Sequence, residues 1–120
     1  MKTSLYKIFR LECAHSLPAV PEGHPCARMH GHSFTVTLHL RGEVDRETGW
    51  ILDFGRVREL FEPLRSALDH HTLNDIPGLE NPTSEHLARF VYLRLKPVLP
   101  ELYRVDVGET CTAGARVEDD

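Results

Sequence analysis

The chain has 120 residues, with 14 Lys and Arg against 18 Asp and Glu, for a formal net charge of -4 at pH 7. A chain of that length buries roughly two thirds of its unfolded surface, so residues 1–120 are expected to form one domain with a real core and no need of disulfide staples. The basic residues are scattered, which argues against a phosphate-binding field and hence against a nucleic-acid partner.

Cys13, Cys26 and Cys111 are odd in number and irregularly spaced. That pattern fits reduced thiols of a cytoplasmic protein better than a secreted scaffold. Lys7, Arg10 and Glu12 interrupt any apolar run near the N-terminus, and no stretch approaches the length of a membrane span, so no membrane partner is expected.

In chain order, Phe9, Leu11 and Cys13 alternate with Arg10 and Glu12, predicting a half-buried strand from Leu5 to His15, with His15 on the apolar side. Pro18, Pro21, Gly23 and Pro25 make 16–29 a loop. From His32 to Gly42, the residues Phe34, Val36, Leu38 and Leu40 face one way while Ser33, Thr35, Thr37, His39 and Arg41 face the other. His30 and His32 share the parity of the apolar set.

A turn and a short strand at Trp50–Leu52 are expected next. Asp53 can then cap a helix carrying Val57, Leu60, Phe61, Leu64 and Leu68, which Pro63 should kink or shorten. A second loop leads to Thr83 as N-cap of a helix with Leu87, Val91 and Leu95 on one stripe, ended by Pro97 and Pro100. The last segment, Leu102–Val117, reads as a strand pair in which Tyr103, Val105 and Val107 alternate with Arg104 and Asp106, and Gly114 interrupts the closing strand. The order ββααββ predicts an α+β fold: a four-stranded antiparallel sheet with both helices on one face and a polar opposite face suited to water or a wet pore.

Antiparallel pairing of the first two strands brings His15 beside His30 and His32, and side chains two apart on a strand point the same way. Three imidazoles leave a zinc ion an open fourth position, the pattern of a catalytic site. The plainer reading, three separately satisfied or exposed histidines, is the commoner one for H-x-H alone; the shared parity of all three with the apolar face weighs against it. His24, His39 and His86 lack such convergence and read as surface or rim residues.

Cys26 lies just before these residues, where a metal's field could lower its pKa and make a thiolate base. Asp69 beside His70 and His71 can set an imidazole tautomer, with a plain solvated helix end as the even alternative. Glu109 follows Val105 and Val107 on the apolar parity, where a carboxylate wants a planar paired donor; a surface strand end is the alternative.

Taken together, His15, the C-x-x-x-H-G-H run from Cys26 to His32, Asp69-His70-His71, the NPTSE run from Asn81 to Glu85 and the ETCTAG run from Glu109 to Gly114 closely resemble the 6-pyruvoyltetrahydropterin synthase family. The resemblance covers essentially the whole chain. It implies the tunnelling fold, in which trimers close a barrel from four-stranded sheets, commonly as stacked trimers in a homohexamer. It makes His15, His30 and His32 zinc ligands, Cys26 a proton acceptor, Asp69 and His70 a second relay, and Glu109 the anchor for a pterin ring. The implied substrate is 7,8-dihydroneopterin triphosphate. The short Cys26-to-His30 gap and the ETCTAG run point to the branch that releases acetaldehyde and leaves a 6-carboxy group, with the pyruvoyl product as the alternative and a non-catalytic pterin or zinc binder as a further one. Arg28 is a candidate triphosphate contact, with a solvated surface arginine equally open.

Overall fold

The computed structural model describes residues 1–119. Its elements are β1 (Ser4–His15), β2 (His30–Arg41), α1 (Phe54–Leu68), α2 (Ser84–Leu95), β3 (Leu102–Gly108) and β4 (Gly114–Glu118). The strands form one antiparallel sheet in the order β1-β2-β3-β4. The predicted α+β arrangement is the one observed.

Strand alternation decides which face is covered. Phe9, Leu11 and Cys13 of β1, Phe34, Val36, Leu38 and Leu40 of β2, and Val105 and Val107 of β3 are buried, together with Val57, Phe61, Leu64 and Leu68 of α1 and Leu87, Ala88, Phe90, Val91 and Leu95 of α2. Both helices therefore pack on one face. Phe9 stacks on Phe61 with ring centroids 4.1 Å apart, tying α1 to β1.

Both helices start where a side-chain acceptor replaces a missing backbone partner. Asp53 Oδ1 accepts from Gly55 N–H at 2.9 Å, and Thr83 Oγ1 accepts from His86 N–H at 3.1 Å. Pro63 does not shorten α1, which runs from Phe54 to Leu68 with the proline inside it. Pro63 is exposed, so the carbonyl it leaves without a helical partner is on the wet side of the helix.

Three other details depart from the pattern reading. Trp50–Leu52 is a bend and not a strand: Trp50 is half exposed and its carbonyl closes a local turn by accepting from Asp45 N–H. A register shift opposite His39 and Leu40 seats Leu102 in the core and turns Tyr103 out of the apolar set, where Arg41 lies over its ring at 4.6 Å. Gly114 opens β4 opposite Gly108 and does not interrupt it; a Cβ there would come within 2.3 Å of the Val107 carbonyl oxygen.

The segment after α1 is laid along the free edge of β1. His70 N–H donates to the Glu12 carbonyl at 2.6 Å and Ala14 N–H to the His71 carbonyl at 3.1 Å. That edge pairing carries Asp69-His70-His71 to the same end of the sheet as His15. No helix among the described residues is long and apolar enough to cross a membrane.

Candidate metal centre

Register delivers the histidines. His15 pairs directly with His30, and Cys13 with His32, so His30 and His32 flank His15 on the helix-facing side. The rings meet edge to face, with centroids 4.6 Å apart for His15 and His30, 5.2 Å for His15 and His32, and 4.7 Å for His30 and His32. Glu109, from the turn between β3 and β4, joins them, and one donor atom from each of the four residues lies within 4.8 Å of the others.

Backbone carbonyls fix two of the imidazoles. His15 Nδ1 donates to Pro82 O at 2.7 Å, and His30 Nδ1 donates to Arg28 O at 2.7 Å. A carbonyl can only accept, so both rings carry a proton on Nδ1, which leaves Nε2 as the nitrogen available to a metal. This is how a protein orients a metal-ligating histidine. His15 is fully buried and its Nε2 has no hydrogen-bond partner. Burial foremost, with His30 and His32 adding, holds the His15 pKa below its ordinary value against the opposing Pro82 hydrogen bond and Glu109 charge. The ring is neutral, so its approach to Glu109 is not an ion pair. A buried nitrogen lone pair, two tautomers fixed for ligation and an N/O donor set fit a divalent metal ion.

The other candidate residues lie around this centre. Cys26 is half-buried in a single 3-10 turn, Pro25–Ala27, capped by His24 Nδ1, which accepts from the Cys26 N–H at 3.1 Å. Its sulfur is not among the four clustered donors. Asp69 Oδ2 faces His70 Nδ1 at 3.0 Å, so these neighbours do engage each other. The Glu12 N–H, donated to Asp69 Oδ1 at 2.9 Å, leads the effects that hold that carboxyl below its ordinary range. His70 adopts a positive φ of 59° and is largely exposed, a backbone state uncommon outside glycine. A cleft of about 450 Å³ has His32, His70, His71, Glu12 and Ser33 in its wall. Arg28 is exposed.

Pattern reading missed Asn74. Its Oδ1 accepts from Ser16 N–H at 2.9 Å and its Nδ2 donates to Ser16 O at 2.8 Å. Leu17 N–H in turn donates to Cys26 O at 2.8 Å. Asn74 thus holds the loop that carries Cys26 against the end of β1. No periodicity marks such a residue, because its partner is backbone on another loop. Cys13 is inert by contrast: burial first, then the Asp69 and Glu12 charges, pushes its thiol up to about 12, and its S–H donates to Leu68 O.

Residues 4–120 match the family model for 6-pyruvoyl tetrahydropterin synthase. The chain belongs to the 6-pyruvoyl tetrahydropterin synthase family of enzymes. It is 42% identical over 118 residues, 93% of this chain and 90% of the relative, to a 6-carboxy-5,6,7,8-tetrahydropterin synthase of Synechocystis. It is 38% identical over 88 residues, 68% of this chain and 52% of the relative, to a 6-pyruvoyl tetrahydrobiopterin synthase of Drosophila melanogaster. The fold is shared with 6-pyruvoyl tetrahydropterin synthase of Caenorhabditis elegans at a TM-score of 0.91 and 23% identity, covering 100% of this chain and 97% of that one.

Proposed function

We propose that the chain is a zinc-dependent lyase converting 7,8-dihydroneopterin triphosphate to 6-carboxy-5,6,7,8-tetrahydropterin, with release of acetaldehyde and triphosphate, in queuosine biosynthesis. The observation that carries this reading is the convergence of His15, His30 and His32 with the buried, unpartnered Nε2 of His15. The long match to a carboxypterin synthase, against the shorter match to a pyruvoyl-type relative, supports the choice of product.

In this reading His15, His30 and His32 hold zinc, whose Lewis acidity would polarise the side-chain oxygens of the substrate. Glu109 receives the aminopyrimidinone edge of the pterin, two parallel N–H groups meeting one carboxylate. Cys26 takes a proton as thiolate. His70 serves as the second proton relay: with Nδ1–H directed to Asp69 Oδ2, its Nε2 is free to accept. Asp69 is fixed for that task by the Glu12 N–H and by Arg65 Nη1 at 3.2 Å.

The edge of β4, the part of the β1 edge before Glu12 and the polar open face suit closure of several copies into a barrel, as a trimer or homohexamer, with neighbouring subunits adjoining each site. The cytoplasm is the compartment this reading assigns.

The test is mass spectrometry of the product from zinc-loaded protein and 7,8-dihydroneopterin triphosphate, with acetaldehyde trapped in parallel. A 6-carboxypterin with acetaldehyde supports the proposal. A 6-pyruvoyl product, the second reading that the Drosophila relative favours, keeps the site and changes the branch. No turnover would leave a pterin- or zinc-binding protein.

A further inference from the structure

Glu109 faces His15 in a way that neither an ion pair nor a hydrogen bond explains. Its Oε1 lies 3.3 Å from His15 Nε2 and 3.4 Å from His32 Nε2. His15 carries its proton on the other nitrogen, given to Pro82 O, so the Nε2 lone pair is aimed at an oxygen lone pair. Two acceptors held together, the imidazole one fully buried, call for a cation between them.

The spacing indicates which kind. A tetrahedral centre with arms of about 2.0–2.1 Å sets its ligand atoms about 3.3–3.4 Å apart; the two separations from Oε1 to His15 and His32 match that edge, and the four donors as a set lie within 4.8 Å of one another. A charge-assisted N–H···O bond would be shorter, at about 2.7–2.9 Å.

We propose that Glu109 is a displaceable fourth ligand: without substrate its carboxylate completes the shell of His15, His30 and His32, and on substrate arrival it leaves the metal and turns to the ring edge. The proposal rests on the reading of the three histidines as metal ligands. The turn that carries Glu109 is built for such a swing. Glu109 N–H and Thr110 N–H both donate to Ala113 O, at 3.0 and 3.2 Å, which pins the backbone. The Glu109 side chain is 29% exposed and Cys111 and Thr112 beyond it are exposed, which leaves the carboxylate room to move. The resting centre is thereby closed to water, and only a ligand able to replace a carboxylate opens it.

Cobalt in place of zinc makes the shell visible. The full chain is loaded with Co2+, and its visible spectrum is followed from pH 6 to 9 for the wild type and Glu109→Gln, with Co2+ affinity measured for both. A carboxylate fourth ligand predicts a wild-type spectrum that does not change with pH. It also predicts at least about tenfold weaker binding by Glu109→Gln, a direct ligand mattering no less than an outer-shell partner. The variant's spectrum should titrate near neutral pH as a bound water loses its proton. A wild-type spectrum that itself titrates, or unchanged affinity in Glu109→Gln, overturns the fourth-ligand role while the three-histidine centre stands. The wild-type titration decides this without any variant having to fold. Failure of the wild type to bind one Co2+ per chain overturns the metal reading itself.

Discussion

Two histidine–carboxylate contacts of nearly equal length stand on opposite faces of the sheet. His39 Nε2 is 3.2 Å from Asp106 Oδ2 on the open face, and His15 Nε2 is 3.3 Å from Glu109 Oε1 on the covered one. Asp106 also receives Arg104 Nε and Nη2 at 2.9 and 2.8 Å and Arg116 Nε at 2.8 Å. Burial alone would push the Asp106 carboxyl up, but hydrogen bonds from Arg104 and then Arg116 outweigh it and hold the group well below the ordinary carboxylate range. His15 has no such surplus of donors, and its Nε2 is left without a partner. The same two residue types thus make a satisfied structural network in one place and an unfinished site in the other. Counting donors against acceptors separates the two where proximity does not.

Replacing residues on each side sharpens the contrast. Cys26→Ala should lower turnover by at least about a hundredfold, the low end for loss of a general base, with metal content unchanged by elemental analysis; retained turnover would remove Cys26 from the chemistry. Asn74→Leu breaks both bonds to Ser16 and should cost about tenfold in kcat, corresponding to ~1.4 kcal/mol. Its alkylation rate at Cys26 should change as well, whereas a purely structural role would shift only the melting temperature.

On the open face, Asp106→Asn should cost about 1–3 kcal/mol of stability, read by denaturant unfolding, and leave metal content untouched. Because the folded-state pKa of Asp106 is depressed, its contribution is fully present above the ordinary carboxylate value of about 4 and is lost as the pH falls from there through the lower folded value. The variant should therefore lose less stability than the wild type on acidification below about pH 4. Equal acid sensitivity in both would show that Asp106 is not held by the arginines.

Strand parity made His15, His30 and His32 legible, because period-two alternation fixes the face and antiparallel pairing fixes the neighbour. Both helices and their Asp53 and Thr83 caps were legible for the same reason: their signals are local. What was not legible depends on how distant segments meet. Tyr103 leaves its expected face through a bulge set by pairing with β2, and Trp50–Leu52 forms no strand although its composition suits one. In the sequence Glu109 reads as a carboxylate wanting a planar donor or as a surface strand end, with the family resemblance implying a pterin anchor, and only the hairpin between β3 and β4 brings it against His15 and His32. Asn74 acts on backbone across two loops, which leaves no trace in periodicity.

The most direct measurement is the metal content per chain of purified wild type, His15→Ala and His39→Ala, determined side by side. The account predicts one metal ion per chain in the wild type and in His39→Ala, and none in a folded His15→Ala. Metal retained at the wild-type level by His15→Ala would contradict it.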